Sequence, residues 1–290
     1  MSSTKDIRSR ITSVTNTQQI TKAMKMVSAA KLSKAQAHIT NMRPYAKQMK
    51  SLISRLINNP KVSHPFLEKK EKIENILLVV VSGDRGLCGG FNTTVNRFAE
   101  TFLKENKKKY NSIDLFLIGK KSIDYFKARE IKSVDSVNNI SKNLSYKIAV
   151  GVADKLMHFF KSGKYDEIHF VYNEFKSVIS QERAVEKIFP IEYKNSEIDQ
   201  TKILSDDYIF EPEVVKFLEE LLVRHFTSQV YRCLSESVAA EYAARMTAMD
   251  SATNNANDMI HSLTLTYNKL RQANITKELM EIVSGAEAVK

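Results

Sequence analysis

The chain has 290 residues, 43% hydrophobic and 27% charged, a globular balance that allows one or two domains. No stretch approaches the roughly 18 apolar residues of a membrane span, the first ten residues lack the apolar core of a secretory signal, and Cys88 and Cys233 have no cysteine or histidine nearby at metal-ligand spacing. These features set aside membrane-spanning, secreted, disulfide-framed and zinc-organised proteins, and predict two buried thiols in a cytosolic chain that can still sit at a membrane by holding a membrane protein. The net charge of +11 is concentrated at one end: residues 1–59 hold eleven Lys and Arg and one acid, Asp6, so +10 of the +11 lies in the first fifth. Such a one-sided excess predicts a facing group that is acidic or a phosphate.

Residues 1–59 read as one long helix, with Pro44 the only proline before Pro60 and the first glycine at Gly83. Ile7, Ile11 and Val14, then Leu32, Ala35, Ile39, Met42, Ala46 and Met49, keep one heptad phase. Between them, Gln18, Thr21, Lys25 and Ser28 continue the phase with polar side chains, while Ile20, Met24 and Val27 offer an apolar seam in a shifted register; the residues alone leave both open.

From about residue 73 to 210 the period changes. The longest apolar run, 76–81, heads a strand over 76–82, followed by a helix over 94–108, a strand over 114–118, a helix over 122–129 and a short strand over 131–134. A helix over 144–161, a strand over 167–172 and an extended or hairpin stretch over 177–188 complete the segment. Strands alternating with helices predict a small α/β domain with a mainly parallel sheet.

Between Pro212 and Gly285 lie 72 residues with neither glycine nor proline, so 212–287 reads as one helix. Val238, Tyr242, Arg245, Met249, Ala252, Ala256, Met259, Leu263, Thr266, Leu270 and Ala273 alternate steps of four and three, a heptad seam that needs a partner. The simplest architecture pairs the two chain ends as an antiparallel coiled coil around the α/β domain. The longer C-terminal helix then projects alone by roughly 20 Å. That tip carries Ile275, Leu279, Met280, Ile282 and Val283, an apolar set that should be buried against another protein.

Motifs for chemistry are weak. The loop Ser82-Gly83-Asp84-Arg85-Gly86-Leu87-Cys88-Gly89-Gly90-Phe91-Asn92 follows a strand and precedes a helix, but matches neither the phosphate-loop nor the dinucleotide fingerprint. It reads better as a rigid turn that could present Asp84 and Arg85 for docking. The six histidines are scattered, and the pairs Asp206–Asp207 and Glu219–Glu220 are adjacent in sequence, so their carboxylates do not face one another on a helix. No catalytic, cofactor or metal constellation emerges. The rival readings are a basic coiled-coil nucleic-acid-binding protein, against which Tyr45 is the only aromatic of the basic helix, and a nucleotide-dependent α/β enzyme using the glycine loop.

Three segments together resemble the gamma subunit of F-type ATP synthases in its bacterial form: IRSRITSVTNTQQITKAMKMVSAAKLSKAQ, SGDRGLCGGFN, and EYAARMTAMDSATNNANDM followed by LTYNKLRQANITKELMEIVSGAEAV. The start at Met1 matches the bacterial form, with no organellar transit extension. The resemblance implies a coiled coil of the two ends with a Rossmann-like α/β foot domain. It implies a non-catalytic central shaft without nucleotide, cofactor or metal, turning inside three alpha and three beta subunits. The epsilon subunit and a membrane c-ring would be the further partners, placing the chain peripherally on the cytoplasmic side of the bacterial inner membrane. It further implies roles for particular residues. Met24, with Lys25 beside it, would face an acidic lever of a beta subunit; Arg271 and Gln272, with Ile275 and Leu279 beyond, would meet the loops around the tip. Tyr208, Phe210 and Glu211 would lie near the c-ring, with Phe210 standing where a tyrosine is common. Asp84, Arg85 and Cys88 would form a docking loop.

Overall fold

A computed structural model describes residues 3–57, 66–67, 70, 72–142, 144–191 and 214–288. The chain opens with α1, Thr4–Ile57, and closes with α5, Val214–Ala288, helices of 54 and 75 residues. The α1 start is fixed by a reciprocal cap: the Asp6 amide donates to Ser3 Oγ at 3.2 Å, and the Ser3 amide donates to Asp6 Oδ2 at 3.1 Å. Pro44 is accommodated inside α1 and Gly285 inside α5.

Between the long helices run β1 (Asn75–Val81), α2 (Phe91–Asn106), β2 (Ser112–Ile118), α3 (Lys120–Lys127), β3 (Ser133–Val137), α4 (Tyr146–Lys161), β4 (Glu167–Phe175) and β5 (Gln181–Phe189). The sheet order is β3-β2-β1-β4-β5; the first four strands are parallel, and β5 returns antiparallel to β4 as a hairpin. Each expected element is present with its ends moved by a few residues. The third strand moved to Ser133–Val137, because its paired residues are set by β2 rather than by its own weak pattern.

The run Ile76–Val81 is apolar throughout because helices cover both faces of the sheet. Leu78 and Val80 point to one side, with Leu115, Leu117, Val95, Ala99 and Phe126 of β2, α2 and α3. Leu77, Val79 and Val81 point to the other, where α4 joins Met49, Ile53 and Leu56 of α1 and Leu218, Leu222 and Phe226 of α5. The basal halves of both long helices therefore belong to the core of the α/β domain.

Two compact units emerge: Ala30–Ala244, just described, and Met1–Ala29 with Arg245–Lys290. The second unit is the helical pair, and it settles the open question about α1. Ile7, Thr21 and Ser28 are buried, and Ile11, Val14, Gln18 and Lys25 are half-buried, while Ile20 and Val27 stay 60% and 56% exposed. The seam runs through the polar residues. On α5 the expected positions need correction. Met249, Ala256, Leu263 and Leu270 lie in the seam, but the position between each pair falls four residues on, at Thr253, Ile260 and Tyr267. Ala252 is only half-buried, and Met259 and Thr266 face outward. At 3.6 residues per turn, steps of three and four are both open to a straight helix, and the opposite helix decides.

Candidate functional site

The helical pair is held across its polar stretch by a ladder. The Thr21 and Thr253 hydroxyls share a hydrogen bond of 2.8 Å, Lys25 Nζ reaches Asp250 Oδ1 at 2.6 Å, and Gln18 Nε2 donates to Asn257 Oδ1. Each step forward on α1 is a step back on α5, so the pairing is antiparallel. From Gln18 back to Thr4 is 14 residues, and 14 residues beyond Asn257 is Arg271. The helical residues 272–288 therefore have no α1 opposite them, about 17 residues or roughly 25 Å. All of 271–285 are exposed, among them Ile275, Leu279, Met280, Ile282 and Val283, so the projecting apolar tip is present.

Gln272, Ile275 and Leu279 thus share one unpaired helix end, with Arg271 at its edge opposite Thr4. Met24 is half-buried on the flank of α1, beside the exposed Ile20 and Val27. Lys25 lies inside the pair, its ammonium engaged by Asp250, whereas Lys22, Lys31 and Lys34 stand on the exposed surface of α1.

The glycine loop between β1 and α2 is locked by its own side chains. Asn92 Oδ1 accepts from the Gly83 amide at 2.8 Å, and Asn92 Nδ2 donates to the Arg85 carbonyl and to Cys88 Sγ, both at 3.1 Å. Asp84 is turned inward. Its carboxylate accepts from the amides of Lys120 (3.1 Å), Asn139 (2.9 Å) and Ser141 (3.4 Å) and from the Ser141 hydroxyl (3.2 Å), binding three connections together. Arg85 is left as the exposed charge of the loop, next to Leu87, which sits at φ 62° with 64% of its surface exposed.

In an open α/β sheet the ligand crevice lies outside the strand ends where the order reverses, here between β1 and β4. That place is filled from within. Cys88 and Phe91 pack on Ala240 of α5, the buried Asn173 donates to the Phe91 carbonyl at 3.3 Å, and Glu241 reaches to where a Gly83 side chain would stand. The nucleotide-enzyme reading therefore loses its crevice to the protein's own side chains. Tyr208, Phe210 and Glu211 lie outside the described residues.

Asp250, Thr253 and Asn257 were not foreseen from sequence as partners of Lys25, Thr21 and Gln18. The matching spacing of polar residues on the two seams was the available signal. The inward turn of Asp84 was not foreseen either, since it depends on loops distant in sequence.

A family model described as ATP synthase matches residues 3–289. An ATP synthase gamma chain from Bdellovibrio bacteriovorus is 53% identical over 294 residues, spanning the full length of both chains, and one from Geobacter metallireducens is 44% identical, again over the full length of both. This chain belongs to the ATP synthase gamma chain family. Among solved structures, the fold is similar to a chain of the central stalk and c-ring of the Tetrahymena thermophila mitochondrial ATP synthase (TM-score 0.61, 26% identity, 80% of this chain and 99% of that one). It is also similar to a chain of the Euglena gracilis mitochondrial ATP synthase (TM-score 0.66, 21% identity, 99% of this chain and 94% of that one). Membership of the gamma chain family leaves the nucleic-acid reading of the basic α1 without support. Among the described residues, no helix is long and apolar enough to cross a membrane.

Proposed function

We propose that this chain is the central rotor of an F-type ATP synthase. It would turn inside the ring of alpha and beta subunits, driven by the c-ring with the epsilon subunit alongside, on the cytoplasmic side of the bacterial inner membrane. It carries no catalytic residue; the chemistry belongs to the ring. The observation that carries the reading is the helical pair whose longer member runs on, exposed and apolar, past the end of its partner. An exposed apolar end of this kind marks a surface for another protein to cover.

A shaft that drives neighbouring sites in turn must be stiff and must present a different face to each. Two paired helices supply stiffness. Asymmetry comes from the exposed lysines of α1, its outward Ile20 and Val27, and the single-helix tip. Each ring subunit then meets a different surface, and differential contact shifts its conformational population as the shaft turns. Lys22, Lys31 and Lys34 attract acidic lever segments over a distance set by screening, without interlocking. Met24 marks the flank that meets them. Arg271, Gln272, Ile275 and Leu279 form the bearing contact, Arg85 a docking contact of the foot domain, and Tyr208, Phe210 and Glu211 the approach to the c-ring.

Native mass spectrometry of the tagged complex from membranes tests this. Three alpha–beta pairs for each copy of this chain support it. A chain recovered alone, or with nucleic acid, refutes it.

A further inference from the structure

Where α5 packs on the α/β domain, Gln229, Arg232, Glu236 and Ala240 form a stripe turned to β4, β5 and the Phe91 turn, while α1 presents Leu32, Ala35 and Ile39 to the neighbouring Val238–Tyr242 face. Arg232 is the hub of that stripe. Its guanidinium pairs with Glu186 Oε1 of β5, donates to the Tyr172 hydroxyl of β4 at 3.2 Å and to Gln229 at 2.8 Å, and reaches Glu236 Oε1 at 3.4 Å. The Tyr172 hydroxyl in turn donates to Glu186 Oε2 at 2.9 Å. One cation thus serves two carboxylates. Further charges on the hairpin lie near: Glu174 is paired with Lys176 at 2.8 Å, and Glu182 acts on that lysine. The neighbouring Cys233 is fully buried. Glu236 Oε2 is buried with no hydrogen-bond partner among the described residues.

An ionised carboxylate in this position is under-compensated, because its cation is shared and half of its acceptor capacity is unmet. We propose that Glu236 is a proton-operated release in the clamp that holds the β4–β5 hairpin on α5. With Glu236 neutral, Arg232 belongs to Glu186 and Tyr172, and the hairpin is gripped. With Glu236 ionised, Arg232 is drawn back along α5 and the grip on β5 weakens.

The titration runs in the required direction. Burial pushes the Glu236 carboxyl above the ordinary glutamate range, Glu174 and Glu186 add to the rise, and Arg232 opposes it. The folded chain therefore holds this proton more tightly than the unfolded chain. The stabilising grip is complete at low pH and is lost as pH rises through the raised value.

The test is hydrogen exchange, read by mass spectrometry on the full chain, of peptides covering residues 175–189 between about pH 5 and pH 9, after correction for the intrinsic pH dependence of exchange. Protection of the hairpin should fall by about tenfold per unit of differential pKa across the transition. Glu236→Gln should hold it high and flat; Glu236→Ala, which needs no packed amide, serves the same purpose if the glutamine variant does not fold. Glu186→Gln should lower protection at every pH. A flat profile in the unmodified chain, or an unchanged slope in the Glu236 variants, overturns the proposal.

Discussion

Lys25 Nζ sits 2.6 Å from Asp250 Oδ1, across the interface of the two terminal helices. A lysine in a heptad seam would normally interrupt it; here the opposite helix supplies the counter-charge at the matching height. Both side chains keep over 40% of their surface exposed, so water screens the pair. Lys25→Ala should lower stability by only about 0.5 kcal/mol. Lys25→Asp, which sets two carboxylates face to face, should cost about 1 kcal/mol. The double exchange Lys25→Asp with Asp250→Lys should recover most of that loss. Urea denaturation of the parent, Lys25→Asp, Asp250→Lys and the double exchange checks the cycle.

Asp84 predicts a separation of stability from coupling. Its four hydrogen bonds tie together the loops after β1, β2 and β3. Asp84→Ala should therefore cost about 2–3 kcal/mol, because several amides are left unpaired. Arg85→Ala should leave the urea midpoint where it was and reduce ATP-driven proton pumping in membranes, if the exposed guanidinium docks on a partner. Unchanged pumping would remove Arg85 from the interface.

Glycines at two places should respond oppositely. Gly119 has φ +96°, and a Cβ there would collide with the Ser82 backbone carbonyl, so Gly119→Ala should destabilise by roughly 3 kcal/mol or more. At Gly86 an added methyl group would meet no atom within 4 Å, and the backbone is not in the left-handed region, so Gly86→Ala should stay within about 0.5 kcal/mol of the parent. Thermal midpoints of the two variants decide.

Glu167 gives a pH dependence. Burial opposes its ionisation, but His169 at 2.7 Å and Lys187 at 3.1 Å outweigh burial and hold its carboxyl below the ordinary glutamate value of 4.5. A depressed pKa contributes stability that is present above the unfolded value and lost as pH falls through the folded one. The urea midpoint should drop as pH is lowered below about 4.5, and Glu167→Gln should flatten that part of the profile.

Much of the fold was legible because glycine and proline punctuate the chain so unevenly, and because the run 76–81 has no polar face to offer water. The lone tip was legible from the difference in helix length. The seam was read only to within its phase: Ala252 and Met259 satisfy a heptad as well as Thr253 and Ile260 do, and only the partner helix, with Thr21 opposite Thr253, chooses between them. The polar ladder was visible as polar residues on one helix but not as pairs, since pairing depends on register. The Arg232 cluster was invisible, because Tyr172, Glu186 and Arg232 come together only when the hairpin folds onto α5.

The most direct test of the rotor reading is the orientation of a single fluorophore, attached through a Lys104→Cys variant on the exposed side of α2, in membrane-bound complexes hydrolysing ATP. For a central shaft, its polarisation should step in one direction through a repeating set of orientations, and should stop when the tip is cross-linked through Ile275→Cys to a ring subunit. An orientation that stays fixed relative to the ring during sustained hydrolysis would contradict it.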